Sequence, residues 1–124
     1  METKDLEYFK KLEEAVLLAV GASSGKLYDS GWVLSYKTYH GKRRKVFINE
    51  RDDIRAKIFS FSSEWMAFVK DHKQSLIAVV ETNNPEQIII IDPEDDRCGY
   101  TLLLSQDEMG DKVYNFHKTI GMKK

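Results

Sequence analysis

Two short apolar runs, Leu76–Val80 and Ile88–Ile91, set the strongest limit on what this chain can fold into. Both are rich in β-branched residues, bounded by turn chemistry and too short for a typical helix, so they read as the central strands of a sheet. Asn83-Asn84-Pro85 between them predicts a hairpin.

The hydrophobic period changes elsewhere in a consistent way. Leu6, Phe9, Leu12, Val16, Leu17 and Val20 recur at three- and four-residue spacing and predict a first helix, with Thr3 or Asp5 to cap it and Gly21 to end it. Ala22–Ser30 is small and polar and reads as a loop. From Gly31 the period is two. Tyr39-His40-Gly41 separates this run from Arg44–Ile48, and a three-residue hairpin loop favours a left-handed residue at its last position, where Gly41 sits. That loop pairs Tyr36 with Arg44, Leu34 with Val46 and Trp32 with Ile48. It also sets Lys37 opposite Arg43, Ser35 opposite Lys45 and Val33 opposite Phe47. A one-residue slip would split the apolar set, and burial specifies register strongly.

A second helix is predicted from Asn49 or Asp52 to His72 and Lys73, carrying an apolar stripe of Ile54, Ile58, Phe61, Trp65, Phe68 and Val69. Phe59 and Met66 fall off that stripe. Tyr100, Leu102 and Leu104 alternate as a fifth strand. Val113, Phe116 and Ile120 suggest a short closing helix stopped by Gly121. The order α-β-β-α-β-β-β-α, with short links between neighbouring strands, predicts an α+β two-layer sandwich. Its sheet would have about five mainly antiparallel strands with helices packed on one face. The Leu76 and Ile88 strands would be central, with the Gly31–Ile48 hairpin nearer an edge.

At 124 residues the chain fits one domain, 1–124, large enough to fold without disulfides or metal. Hydrophobic residues make up 42% and charged residues 31%, which is too apolar for a disordered chain and too charged for a membrane protein. Cys98 is the only cysteine, and Met1–Lys11 has no apolar signal core. The expectation is a soluble, cytoplasmic protein with no membrane partner.

The formal net charge is −1, but the charges are unevenly distributed. From Lys37 to Lys57 eight basic residues face three acids, and from Glu86 to Glu108 seven acids face Arg97 alone. Lys37, Lys42, Arg43, Arg44 and Lys45 on the hairpin suit an anionic partner, with Tyr39 and Phe47 available to stack on unpaired bases. Charged strands also block edge-to-edge aggregation, which is the plainer reading. The acidic loop Asp92-Pro93-Glu94-Asp95-Asp96 is read as solvated. It can also meet the basic hairpin of another copy in a homo-oligomer.

Signals for chemistry are sparse. His40, His72, His117 and Cys98 lack zinc-ligand spacing, and Ser23-Ser24-Gly25-Lys26 lacks the rest of a phosphate loop. No cofactor or metal is expected. Glu81 and Asp92, each ending a predicted strand, are the candidate catalytic pair for a metal-dependent nuclease-like enzyme, if both flank one hairpin. Phe59 and Met66, if exposed, mark a protein interface. The expected function is a non-enzymatic binding domain acting on a macromolecule, with protein preferred over nucleic acid. The alternatives are a nucleic-acid-binding accessory domain using the basic hairpin, and the nuclease-like enzyme.

Overall fold

A computed structural model describes residues 3–27, 33–38, 40–70, 75–82, 84–95 and 99–119. Trp32, Tyr39, His72, Asn83, Asp96, Arg97, Cys98 and Ile120, named above, lie outside them. In chain order the elements are α1 (Thr3–Val20), β1 (Gly25–Leu27), β2 (Val33–Lys37), β3 (Arg43–Arg51), β4 (Ile58–Ser62), α2 (Ser63–Lys70), β5 (Leu76–Glu81), β6 (Asn84–Ile91), β7 (Tyr100–Gln106) and β8 (Lys112–Lys118). The class is α+β. The strands form a five-stranded sheet, β1-β2-β3-β5-β6, and a three-stranded sheet, β4-β8-β7.

The β2–β3 hairpin has the expected register. Val33 pairs with Phe47, Leu34 with Val46, Ser35 with Lys45, Tyr36 with Arg44 and Lys37 with Arg43. The loop closes as anticipated: the Thr38 amide donates to the Lys42 carbonyl at 2.7 Å, and Gly41 has a φ of 82°. That backbone is strained for any residue with a Cβ. Gly25 is required for a different reason. A Cβ there would lie 2.8 Å from Leu17 Cδ2 and from the Ser35 carbonyl, so β1 can pair with β2 beneath α1 only through a glycine.

The order and layering differ from expectation. The predicted second helix is a strand followed by a short helix. Phe59 and Phe61 point inward, alternating with exposed Ser60 and Ser62, which is the period-two pattern of β4. Ser62 then accepts a hydrogen bond from the Trp65 amide at 3.2 Å, so the N-cap sits ten residues later than Asp52. The predicted closing helix is β8, because alternating Tyr114 and Phe116 face the core and Phe116 is fully buried.

The pairing is not all antiparallel. β5 runs parallel to β3, from Val46 opposite Leu76 to Arg51 opposite Glu81, with β4 and α2 in the crossover. Consequently β3 is the middle strand, β5 its inner neighbour, and β6, expected to be central, is an edge.

The large sheet is buried on both faces. Leu12 and Val16 of α1 pack on Leu34, Val46, Ile48, Ala78 and Val80 on one side. Met66 and Val69 of α2, with Phe59, Phe61, Tyr100 and Phe116 of the small sheet, pack on Phe47, Ile77, Val79 and Ile91 on the other. The helices therefore lie on opposite faces and the architecture has three layers. The apolar run of β5 reflects this, since a strand covered on both faces has no polar side. No helix among the described residues is long and apolar enough to cross a membrane.

Met66 is completely buried, whereas Leu103 is 53% exposed. Met66→Ala is expected to lower the unfolding free energy by about 2–5 kcal/mol. Leu103→Ala should change it by roughly 0.5 kcal/mol or less. Urea denaturation of the two variants measures the contrast.

Candidate functional site

The predicted site residues fall into three groups. Glu81 and Asp92 do not form a site. Glu81 pairs with Asn84 near the turn of the β5–β6 hairpin, while Asp92 follows Ile91, which pairs with Ile77 at the other end. In an antiparallel pair the end of one strand meets the start of the next. The two carboxylates are therefore separated by most of the hairpin, roughly 15 Å at the rise of a strand. They cannot share an ion. Asp92 is also occupied: its Oδ2 lies 3.9 Å from Arg44 Nη2, and its Oδ1 accepts the Glu94 amide at 3.0 Å. Among the described residues no group of three or more His, Cys, Asp or Glu side chains could hold a metal.

The basic hairpin is split by its own pleat. Lys37, Arg43 and Lys45 share one face with Ser35, whose hydroxyl accepts Arg43 Nη1 at 3.4 Å. Arg44 points to the other face, half-buried between Tyr36 and Asp92. The basic hairpin and acidic loop thus meet within one chain through Arg44 and Asp92, rather than needing a second copy. Lys42 is exposed in the turn. Phe47 is not available for stacking, because it is buried in the second core with the Phe68 ring 5.2 Å away. Phe68 itself is 53% exposed.

Phe59 and Met66 are core residues and form no surface. They fall off a single helical stripe because Phe59 belongs to β4 and Met66 to α2. Once the period resets at Ser62, both point inward.

The four sheet edges differ sharply in how they end, and this was not anticipated. β1 is three residues long, and its Leu27 amide donates to Glu13 Oε2 at 2.9 Å. β6 carries Pro85, which has no N–H, and exposed Glu86 and Gln87. β4 is covered by Arg51, whose Nη2 donates to the Ser60 carbonyl at 2.9 Å. The Arg51 guanidinium lies 5.0 Å from the Phe61 ring centroid and 5.7 Å from that of Phe59, and its Nε donates to Asn49 Oδ1 at 2.6 Å. Burial pushes its pKa below the ordinary value, although an arginine stays charged at neutral pH. These are recognised ways of blunting an edge.

β7 has no such cover among the described residues. It pairs with β8 on one side only. The Asp107 amide donates to the Asp111 carbonyl and the Thr119 amide to the Gly99 carbonyl, so odd-numbered residues of β7 exchange hydrogen bonds with β8. The N–H and C=O groups of Leu102, Leu104 and Gln106 are therefore directed away from β8, to the open side. Leu103 and Leu104 are 53% and 55% exposed on opposite faces of this strand, and Met109 in the following turn is 86% exposed. The signal in the sequence was Leu102-Leu103-Leu104. Three consecutive apolar residues on a strand cannot all face one core.

A cleft of about 380 Å³ lies beside the first half of β7. Tyr100, Leu102 and Phe116 line its base, and Asp92, Pro93, Glu94 and Asp95 form its other wall. Comparison of the chain with protein-family models, with curated proteins and with solved structures gave no match.

Burial pushes the Tyr36 phenol above its ordinary pKa of 10.0, opposed in part by the neighbouring Arg44. A raised folded-state pKa stabilises the fold below the unfolded value, and this contribution is lost as pH rises through the folded value. The domain should therefore lose stability above about pH 10, and Tyr36→Phe should move the alkaline unfolding midpoint upward. Circular dichroism across pH 8–12, a range chosen about the ordinary tyrosine pKa, checks this.

Proposed function

We propose that this chain is a non-enzymatic interaction domain that binds another protein by accepting an extended segment as a strand beside β7. The observation that carries the reading is the contrast among the edges. The three others end in a short strand, a proline, or a side chain that bonds the outer backbone. β7 instead presents outward-directed peptide groups flanked by exposed leucines. Main-chain hydrogen bonds would supply affinity, and alternate side chains would supply selectivity.

Two proline substitutions test the mode of binding. The Leu104 amide faces the open side, so Leu104→Pro removes a donor that β8 does not use. The Leu103 amide faces β8, so Leu103→Pro should destabilise the fold markedly. Binders selected from a displayed library of random nine-residue peptides should perturb the Leu102, Leu104 and Gln106 amides in NMR spectra. Leu104→Pro should remain folded and lose that binding at least tenfold. Binders that map to other surfaces, or that bind Leu104→Pro normally, would rule out strand addition.

A second reading has its own support. Lys37, Arg43 and Lys45 project from one face, and Phe68 packs on Phe47 of that same face. Cations beside an exposed aromatic ring suit a single-stranded nucleic acid. If three phosphates are contacted, binding to single-stranded DNA should fall with salt at a log–log slope of roughly −2. Arg43→Glu with Lys45→Glu should abolish it. Salt-independent retention, or retention unaffected by charge reversal, would eliminate this surface.

A further inference from the structure

We infer that the strand added to β7 is β7 of a second copy of this chain, paired antiparallel across a two-fold axis at Leu103. This inference rests on the strand-addition reading above and names its partner.

The hydrogen-bond parity of the strand permits this pairing. Odd-numbered residues of β7 exchange hydrogen bonds with β8, and even-numbered ones direct their N–H and C=O groups outward. With Leu103 on the two-fold axis, Leu102 lies opposite Leu104 of the partner subunit. Tyr100 lies opposite the partner's Gln106. Even residues thus meet even residues, and the outward groups of Leu102 and Leu104 in the two copies face one another as hydrogen-bonded pairs. An axis between two residues would set even residues opposite odd ones, whose groups are already given to β8. Among the registers that satisfy parity, the one centred on Leu103 overlaps all 7 residues from Tyr100 to Gln106.

The side chains are self-complementary in the same register. Leu103 is 53% exposed, and on the axis it lies beside its own symmetry mate. There it forms a non-hydrogen-bonded antiparallel pair, which brings Cα atoms to about 4.5 Å. Leu104 is 55% exposed on the opposite face and comes beside the half-buried Leu102 of the partner subunit. Thr101 meets the partner's Ser105, a hydroxyl pair that stabilises adjacent strands. No residue of β7 is charged, although charged residues make up 31% of the chain. Two copies of the strand therefore meet without opposing like charges, and β7 itself has none of the lysines or prolines that keep edges apart. A two-fold axis lets one strand satisfy both sides of the contact, since each leucine that needs cover also supplies it. A single strand pair is a small interface, so the dimer is weak and depends on concentration.

The test is sedimentation equilibrium of the full chain from about 1 μM to about 1 mM, the range that a weak association needs. A monomer–dimer equilibrium is expected. Leu103→Lys, at an exposed position, sets like charges directly opposite each other on the axis. It should weaken the dimer roughly tenfold and leave the circular dichroism spectrum unchanged. Leu103→Cys in a Cys98→Ser background should give a covalent dimer on oxidation, because the paired Cα atoms lie within disulfide reach. Ile58→Cys, exposed on β4, should cross-link far more slowly in the same background. A monomer throughout the range would overturn self-pairing. So would a dimer that Leu103→Lys leaves intact, or equal cross-linking at positions 103 and 58. Recovery of peptides that perturb the Leu102, Leu104 and Gln106 amides would then leave strand addition standing. A monomer that yields no such peptide, with Leu104→Pro behaving as wild type, would overturn both.

Discussion

The parallel ladder between β3 and β5 organises everything else in the molecule. Parallel neighbours cannot be joined by a tight turn, so the chain between them must leave the sheet and return across one of its faces. Here that crossover is β4 and α2. It deposits Phe59, Phe61, Met66 and Val69 on Phe47, Ile77 and Val79, and so builds a second core opposite the one under α1. Once β4 lies there, β8 and β7 extend from it as a separate sheet. The position of β7 as the outer strand of the small sheet is thus a remote consequence of how β3 and β5 are paired.

That arrangement also decides which surfaces can act. A sheet covered on both faces offers a partner mainly its edges and its uncovered ends. Lys37, Arg43 and Lys45 share one face at the end of the sheet, Lys42 is exposed in the turn, and Arg44 is drawn into the Tyr36–Asp92 contact. The small sheet has two edges of unequal character. At β4 the Arg51 guanidinium is stacked over Phe61 and bonds the outward Ser60 carbonyl, whereas at β7 the outward groups meet no strand among the described residues. The edge at β7 is apolar, whereas β1 is short, β6 has a proline near its start and β4 is bonded by Arg51.

Much of the local structure was legible in the residues. The β2–β3 register followed from Gly41 and from the need to keep Leu34 and Val46 on one face. The strands at Leu76 and Ile88 followed from β-branched runs too short for helices. The stretch from Ile54 to Val69 carries two competing periods: Ile58, Phe61, Trp65 and Phe68 satisfy a helical one, while Phe59 and Phe61 satisfy that of a strand. Only the Ser62 cap separates the two, and a serine is a weak marker among neighbouring serines. Val113, Phe116 and Ile120 misled in the same way, since Tyr114 and Phe116 carry the true alternation. Lys37, Arg43 and Lys45 share one face because the β2–β3 register dictates it. Phe59 and Met66 inherited the error in period, and Glu81 with Asp92 failed on strand direction.

The sequence by itself determined the α+β class, the α1 stripe, the hairpin register and the separation of basic and acidic segments. All of these depend on residues near one another in the chain. Tertiary structure alone decided that β5 pairs parallel to β3, that the sheet is covered on both faces, and that β4 is bonded by Arg51 while β7 meets no further strand among the described residues. Those outcomes depend on contacts such as Arg51 with Ser60 and Phe61, and Phe47 with α2. Local periodicity cannot encode them, because it records which residues seek burial but not which surface will bury them.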